Sequence, residues 1–225
     1  MSKVNIAIDG PAASGKGTVA RGVAHALGFQ YVDTGAMFRA VAVLALRAGI
    51  PFNDEARLAH LVNELDFRFE WKNQHLVLFV DNEEMTALIR TEAAGLGASL
   101  VSQAQSVRTA LLIAQRNMAR LGGVVMDGRD IGTVVLPEAE VKVFLVADVR
   151  VRAERRFQEL MARGESTTFD AVLKELVTRD EQDQNRKIAP LKKAADATEL
   201  DSTKMDASGV IKEVLALARQ YQTKC

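Results

Sequence analysis

Cysteine is nearly missing: the single one, Cys225, is the last of 225 residues. No intramolecular disulfide and no multi-cysteine metal site can form, and a reducing, cytoplasmic setting is expected. Histidine is also sparse, and His25, His60 and His75 are too scattered for a catalytic role to be assigned. Aromatic residues make up 5% of the chain, too few to alternate with basic residues as a nucleic-acid platform would require. A surplus of one charge is also missing, since Lys+Arg and Asp+Glu both total 29. No basic field therefore directs the chain to nucleic acid or to a membrane surface. No apolar run approaches about 18 residues, and there is no charged-then-apolar leader. What remains, 48% hydrophobic and 26% charged, is the composition of an ordinary globular protein with room for an inserted subdomain. Nothing demands an interface, so a monomer is expected.

The most informative stretch is Gly10-Pro11-Ala12-Ala13-Ser14-Gly15-Lys16-Gly17-Thr18. It follows the apolar run Val4 to Ile8 and leads into a helical pattern from Val19 to Leu27. A strand, a glycine-rich turn and a helix start form a phosphate cradle. Glycines let backbone N–H groups approach an anion, the helix N-terminus adds partial positive charge, and Lys16 reaches the outer phosphates. Gly17 stands where a magnesium-holding hydroxyl is usual, and the hydroxyl comes one residue later, at Thr18. That displacement points away from GTPase-like switches.

Alternating segments follow. A strand is predicted over Phe29–Asp33, a helix over Ala36–Ala48, and a further helix from an Asp54 cap to about Leu65. The texture then changes to strict alternation, with strands at Asp66–Trp71 and His75–Val80 around a polar turn, and a third strand at Met85–Arg90. Helices are predicted at Glu92–Ser102 and Ser106–Arg120. Buried-type strands at 123–127 and 141–147, helices at Val149–Arg163 and Phe169 to about Gln184, a strand at Thr198–Asp201 and a helix at Ala207–Tyr221 complete the chain. The fold class is α/β: a parallel-sheet core with helices on both faces, a small antiparallel insert and a helical lid. The core is expected at 1–64 and 104–225, with the lid at about 149–168 and the insert at 65–103.

Ligands of parallel sheets bind beyond the carboxyl ends of the strands. Arg39 follows the strand ending in Asp33, and Arg129 follows the strand ending in Asp127, so both should project over the rim that holds Lys16. Guanidinium groups bond phosphate bidentately, which suggests a second anion opposite the first. The alternative is a set of surface charges paired to local acids such as Asp33 or Asp127. Arg179, Asp183 and Arg186 share one helix face at i, i+4 and i+7. Spacing alone equally allows a solvated, self-paired face. Arg150, Arg152, Arg155 and Arg156 are ambiguous in the same way, although an Arg-rich helix pair could cover a triphosphate.

Taken together, Ile8-Asp9-Gly10-Pro11…Gly15-Lys16-Gly17-Thr18, Asp33-Thr34-Gly35-Ala36-Met37-Phe38-Arg39, Ile89-Arg90-Thr91, Val107-Arg108, Asp127-Gly128-Arg129-Asp130-Ile131-Gly132-Thr133-Val134-Val135, Arg179-Asp180…Asp183…Asn185-Arg186…Ala189-Pro190-Leu191 and Leu200-Asp201-Ser202-Thr203 resemble the bacterial cytidylate kinases. These are P-loop nucleoside monophosphate kinases whose bacterial members carry an antiparallel substrate-binding insert.

The resemblance implies transfer of the ATP γ-phosphoryl group to CMP or dCMP, with magnesium as cofactor and no protein ligand set for the metal. Gly10, Pro11, Ala12, Ala13, Ser14, Gly15, Lys16, Gly17 and Thr18 would hold the ATP phosphates, with Arg155 and Arg156 closing from the lid. Arg39, Arg129 and Arg186 would clamp the CMP phosphate and, with Lys16, serve catalysis. Ser99, Arg108 and Asp130 would meet the cytosine, Asp183 and Arg179 the ribose, and Asp33 belongs to the same acceptor side. Phe38 and Gln184 depart from the family's usual tyrosine and arginine. The competing readings are another small-acceptor P-loop kinase, acting on UMP, AMP or shikimate, and a nucleotide-dependent switch.

Overall fold

A computed structural model describes residues 4–72 and 75–222. In chain order the elements are β1 (Ile6–Asp9), α1 (Lys16–Leu27), β2 (Gln30–Asp33), α2 (Thr34–Arg47), α3 (Glu55–Asn63), β3 (Phe67–Lys72), β4 (His75–Val80), β5 (Glu83–Glu84), α4 (Glu92–Val101) and α5 (Gln105–Ala119). They continue with β6 (Val124–Gly128), β7 (Val141–Val146), α6 (Val149–Ala162), α7 (Phe169–Asn185), β8 (Thr198–Asp201) and α8 (Ala207–Gln222). A 3₁₀ turn covers Leu88–Arg90 and a π-helical turn Ile131–Val135. Asn73 and Gln74 of the expected polar turn, and Cys225, lie outside the described residues. No helix among the described residues is long and apolar enough to cross a membrane.

The residues group into two compact units, one formed by 1–30 with 122–225 and the other by 31–121. The main sheet has the order β2-β6-β1-β7-β8. β1 is central and parallel to both neighbours, with Ile6 opposite Val125 on one side and Val141 on the other. Every residue of β1 and β6 is buried, as expected for strands covered on both faces. β8 extends the sheet in parallel, with Val143 opposite Thr198. Parallel neighbours cannot be joined by tight hairpins, so longer crossover connections return the chain between them. All the carboxyl ends consequently open on one edge.

In the second unit β3 and β4 form an antiparallel ribbon from Phe67–Val80 to Lys72–His75, with Phe67 and Phe69 buried and Arg68 exposed between them. The expected third strand over 85–90 is not formed. β5 is only Glu83–Glu84, and the chain then turns helical, with Ile89 N–H donating to Met85 O at 3.1 Å. Met85 and Ile89 are both buried, and the hydrogen bond between them, spanning four residues, is a helical bond rather than a strand ladder. α4 packs closely on α2: a Cβ added at Gly97 would lie 2.8 Å from Ala42 and 3.0 Å from Phe52.

Candidate active site

The phosphate loop is shaped by its smallest residues. A Cβ at Gly10 would sit 2.2 Å from Leu145 O, so only glycine lets the chain leave β1 here. Gly15, at φ 87°, caps α1, and Ala13 is left-handed too, at φ 57°. The cap starts α1 at Lys16, three residues before the first periodic apolar position, so the lysine opens the helix. Its Nζ donates to Pro11 O at 3.1 Å within the loop. Burial pulls the Lys16 pKa down to about 7, and the nearby Arg129 charge acts in the same direction while Asp127 opposes it. Ser14 Oγ is buried with no hydrogen-bond partner among the described residues.

Beside the loop, the residues following β6 form a connected set of charges. Arg129 Nε donates to Asp183 Oδ2 at 2.6 Å, bringing together residues 54 apart in sequence. Burial alone would raise the Asp183 pKa, but the Arg129 charge and hydrogen bond hold it below the ordinary carboxylate range. Arg186 Nη2 lies 3.4 Å from Asp130 Oδ1, and its Nη1 lies 3.9 Å from Asp183 Oδ1. α7 ends at Asn185, so Arg186 is extended (φ −62°, ψ 140°) rather than on the helix face that its spacing implied. Ala189 in the left-handed region and the Leu191 N–H to Asp183 O bond at 2.8 Å fold the following residues back onto α7. The field at Lys16 includes Arg179.

Two buried residues hold this set in place: Asp9, to which the sequence gives no role, and Arg152, which it leaves ambiguous within an Arg-rich group. Asp9 accepts from the N–H groups of Ile131 and Gly132 at 2.8 and 2.7 Å, which pins the segment just after Asp130 to the end of β1. Burial raises the Asp9 pKa to about 6. Arg152 donates through Nε to Ala147 O at 2.9 Å and through Nη1 to Ala12 O at 3.1 Å, and pairs with Asp180 at 2.7 Å. The lid candidates differ from each other. Arg155 is bonded to Ser202 O at 2.6 Å and Ser202 Oγ at 3.2 Å, whereas Arg156 pairs with Glu159 at 3.0 Å.

In the second unit Asp33 caps α2 by accepting from Ala36 N–H at 2.8 Å, and it also accepts from Arg39 Nη2 at 2.9 Å. The structure thus shows Arg39 paired to its local acid, one of the two arrangements that the sequence allowed. Arg108 lies over the Phe38 ring at 5.5 Å and donates to Ser102 O at 3.2 Å, while Ser102 Oγ donates to Ser99 O at 2.9 Å. Ser99, Arg108 and Phe38 are therefore linked through the α4–α5 junction.

A parallel sheet whose central strand ends in a lysine-bearing glycine loop, with arginines at the next strand end, defines a P-loop kinase fold. Solved structures share it: a gluconokinase from Sinorhizobium meliloti 1021 superposes with a TM-score of 0.50 at 17% identity, covering 99% of this chain and 95% of that one. The sequence model described as Cytidylate kinase matches residues 6–220, and the chain belongs to that family. Relatives named cytidylate kinase include one from Pediococcus pentosaceus, 46% identical over 96% of both chains. Another, from Geobacter sp. strain M21, is 49% identical over 95% of this chain and 90% of the relative. A third, from Neisseria gonorrhoeae, is 46% identical over 93% and 94%.

Proposed function

We propose that the protein transfers the γ-phosphoryl group of ATP to the phosphate of CMP or dCMP, giving ADP and CDP or dCDP. The observation that carries the reading is the buried Lys16 at the mouth of a glycine loop, in the same unit as the Arg129–Asp183–Arg186–Asp130 set. The acceptor needs no general base, because a phosphate monoester with a second pKa near 6 is mostly a dianion at neutral pH. The difficulty is repulsion between two polyanions. Catalysis is then positioning and charge compensation, with each charged hydrogen bond contributing about 1.5–3 kcal/mol.

Gly10 to Thr18 hold the ATP phosphates, and Lys16 follows the charge that moves to the leaving oxygen. A triphosphate at the loop favours the protonated form of Lys16, whose pKa burial holds down. Arg39, Arg129 and Arg186 bind the acceptor phosphate. Asp183 takes the Arg129 Nε, which sets the guanidinium plane before a phosphate arrives. Ser99, Arg108 and Asp130 read the cytosine: a carboxylate accepts from its 4-amino group, where uracil offers only another acceptor. Asp183 and Arg179 meet the ribose, Asp33 supports Arg39, and Arg155 and Arg156 close over ATP from about 149–168. The segment 65–103 serves as the monophosphate-binding subdomain.

Magnesium fits the donors present. Ser14 Oγ is an orphaned buried oxygen, and Asp127 stands at the end of β6 opposite Ile8. A hard ion carried on phosphate oxygens and water needs few further protein ligands, with Thr18 as the loop's other hydroxyl. When bound, it would neutralise charge on the phosphates. The enzyme acts as a monomer in the cytoplasm.

The test is ADP release with CMP, dCMP, UMP and AMP as acceptors. CMP and dCMP should be used well. UMP should fall behind by up to roughly 10⁴-fold, the scale set when a site built for a substrate N–H meets an analogue without it. Equal use of UMP and CMP would refute the assigned base reading.

A further inference from the structure

One buried guanidinium joins three elements around the phosphate loop. Arg152 sits in the first turn of α6 and is 5% exposed, and its bonds run to Ala147 at the end of β7, to Ala12 in the loop and to Asp180 in α7. Asp180 commits only Oδ2 to this pair, since its Oδ1 is buried with no partner among the described residues. A second, apolar connection runs alongside. Ala12 belongs to one buried cluster with Ala153, Leu160, Val172 and Leu176, and Ala13, Phe157, Phe169 and Leu173 pack against it. The two phenylalanines meet edge to face at 6.5 Å and tie α6 to α7. The loop residue held in the left-handed region, Ala13, thus rests on the α6–α7 pair.

We propose that Arg152 and Asp180 are positioning residues for the donor phosphates, making the α6–α7 pair a bracket that holds the phosphate loop in its anion-accepting shape. The inference rests on the reading of that loop as the ATP site. Arg152 holds the Ala12 carbonyl back on the α6 side, and Asp180 fixes which way its fork points. Without the carboxylate, the guanidinium would be a buried charge with backbone partners alone.

Three variants test this: Arg152→Gln, Asp180→Asn and, as a control, Arg150→Gln, which removes an exposed arginine one residue away from Val151 and two from Arg152. In the ligand-free protein, amide hydrogen exchange over residues 12–15 should quicken about tenfold or more in the first two variants, with β1 and β7 unchanged. The KM for ATP should rise about fivefold or more while that for CMP stays within about twofold. Asp180→Asn, which keeps an acceptor, should fall between wild type and Arg152→Gln, and the control should behave as wild type. Unchanged loop exchange, a uniform rise along the whole chain, or equal losses for both substrates would overturn the proposal. If wild type transferred nothing to CMP, the functional reading would fail, and the exchange data would still decide whether the bracket exists.

Discussion

Asp9 shows how a single residue can be conspicuous in the structure and silent in the sequence. It sits at the end of an apolar strand, and the amides it accepts from are 122 and 123 positions away, so no local pattern exposes its role. The same distance problem hid the Arg129–Asp183 pair, although both residues were singled out as charged groups near the acceptor. The glycine loop was legible because its parts are adjacent and each has a local cause: Gly10 avoids Leu145 O, and Gly15 supplies a left-handed cap. Burial lifts the Asp9 pKa from 3.8 to about 6, so between those values the folded state holds a proton that the unfolded chain has released. Its contribution to stability is complete below the lower value and is lost as pH rises through the upper one. Asp9→Asn removes this titration. Relative to the variant, wild type should lose about 2 kcal/mol between pH 4.5 and pH 7.5, at about 1.4 kcal/mol per pKa unit. Urea unfolding of both proteins at the two pH values measures it, and a pH-independent difference would contradict the assignment.

At the scale of elements, the sequence placed strands and helices wherever periodicity or a cap was strong. Asp54 and Asp33 cap α3 and α2 by accepting from Arg57 and Ala36 N–H groups, and Gly28 closes α1 in the left-handed region. It failed at 85–90, where the run Met85-Thr86-Ala87-Leu88-Ile89-Arg90 carries an apolar content that fits either period. Burial of Met85 and Ile89 suits both, and the backbone bonds Ile89 N–H to Met85 O and Arg90 N–H to Ala87 O show the helical turn. The π-helical turn at 131–135 was equally unreadable, because its register is set by Asp9 rather than by its own residues. The small-residue character of α4 has a cause that only packing reveals: Gly97 faces Ala42 and Phe52 at distances no Cβ tolerates. Gly97→Val should separate α4 from α2 and destabilise the protein by about 1–3 kcal/mol, the usual cost of overpacking. Thermal unfolding checks it, and a variant as stable as wild type would mean that α4 is free to shift.

Over the whole molecule, equal totals of acidic and basic residues conceal a local imbalance that the fold creates. Lys16, Arg129, Arg152, Arg179 and Arg186 come from four separate stretches of the chain, and the sheet order gathers them around the ends of β1 and β6 within one unit. Acids from α7 and from the segment after β6 pair with them and offset part of this charge. The central claim is direct phosphoryl transfer between two nucleotides. Its most direct test is a single-turnover reaction of the purified protein with ATP labelled at the γ-phosphate and with CMP. The account predicts that the label passes to CDP in step with ADP formation. Label released as inorganic phosphate, or left on ATP while CMP is present, would contradict it.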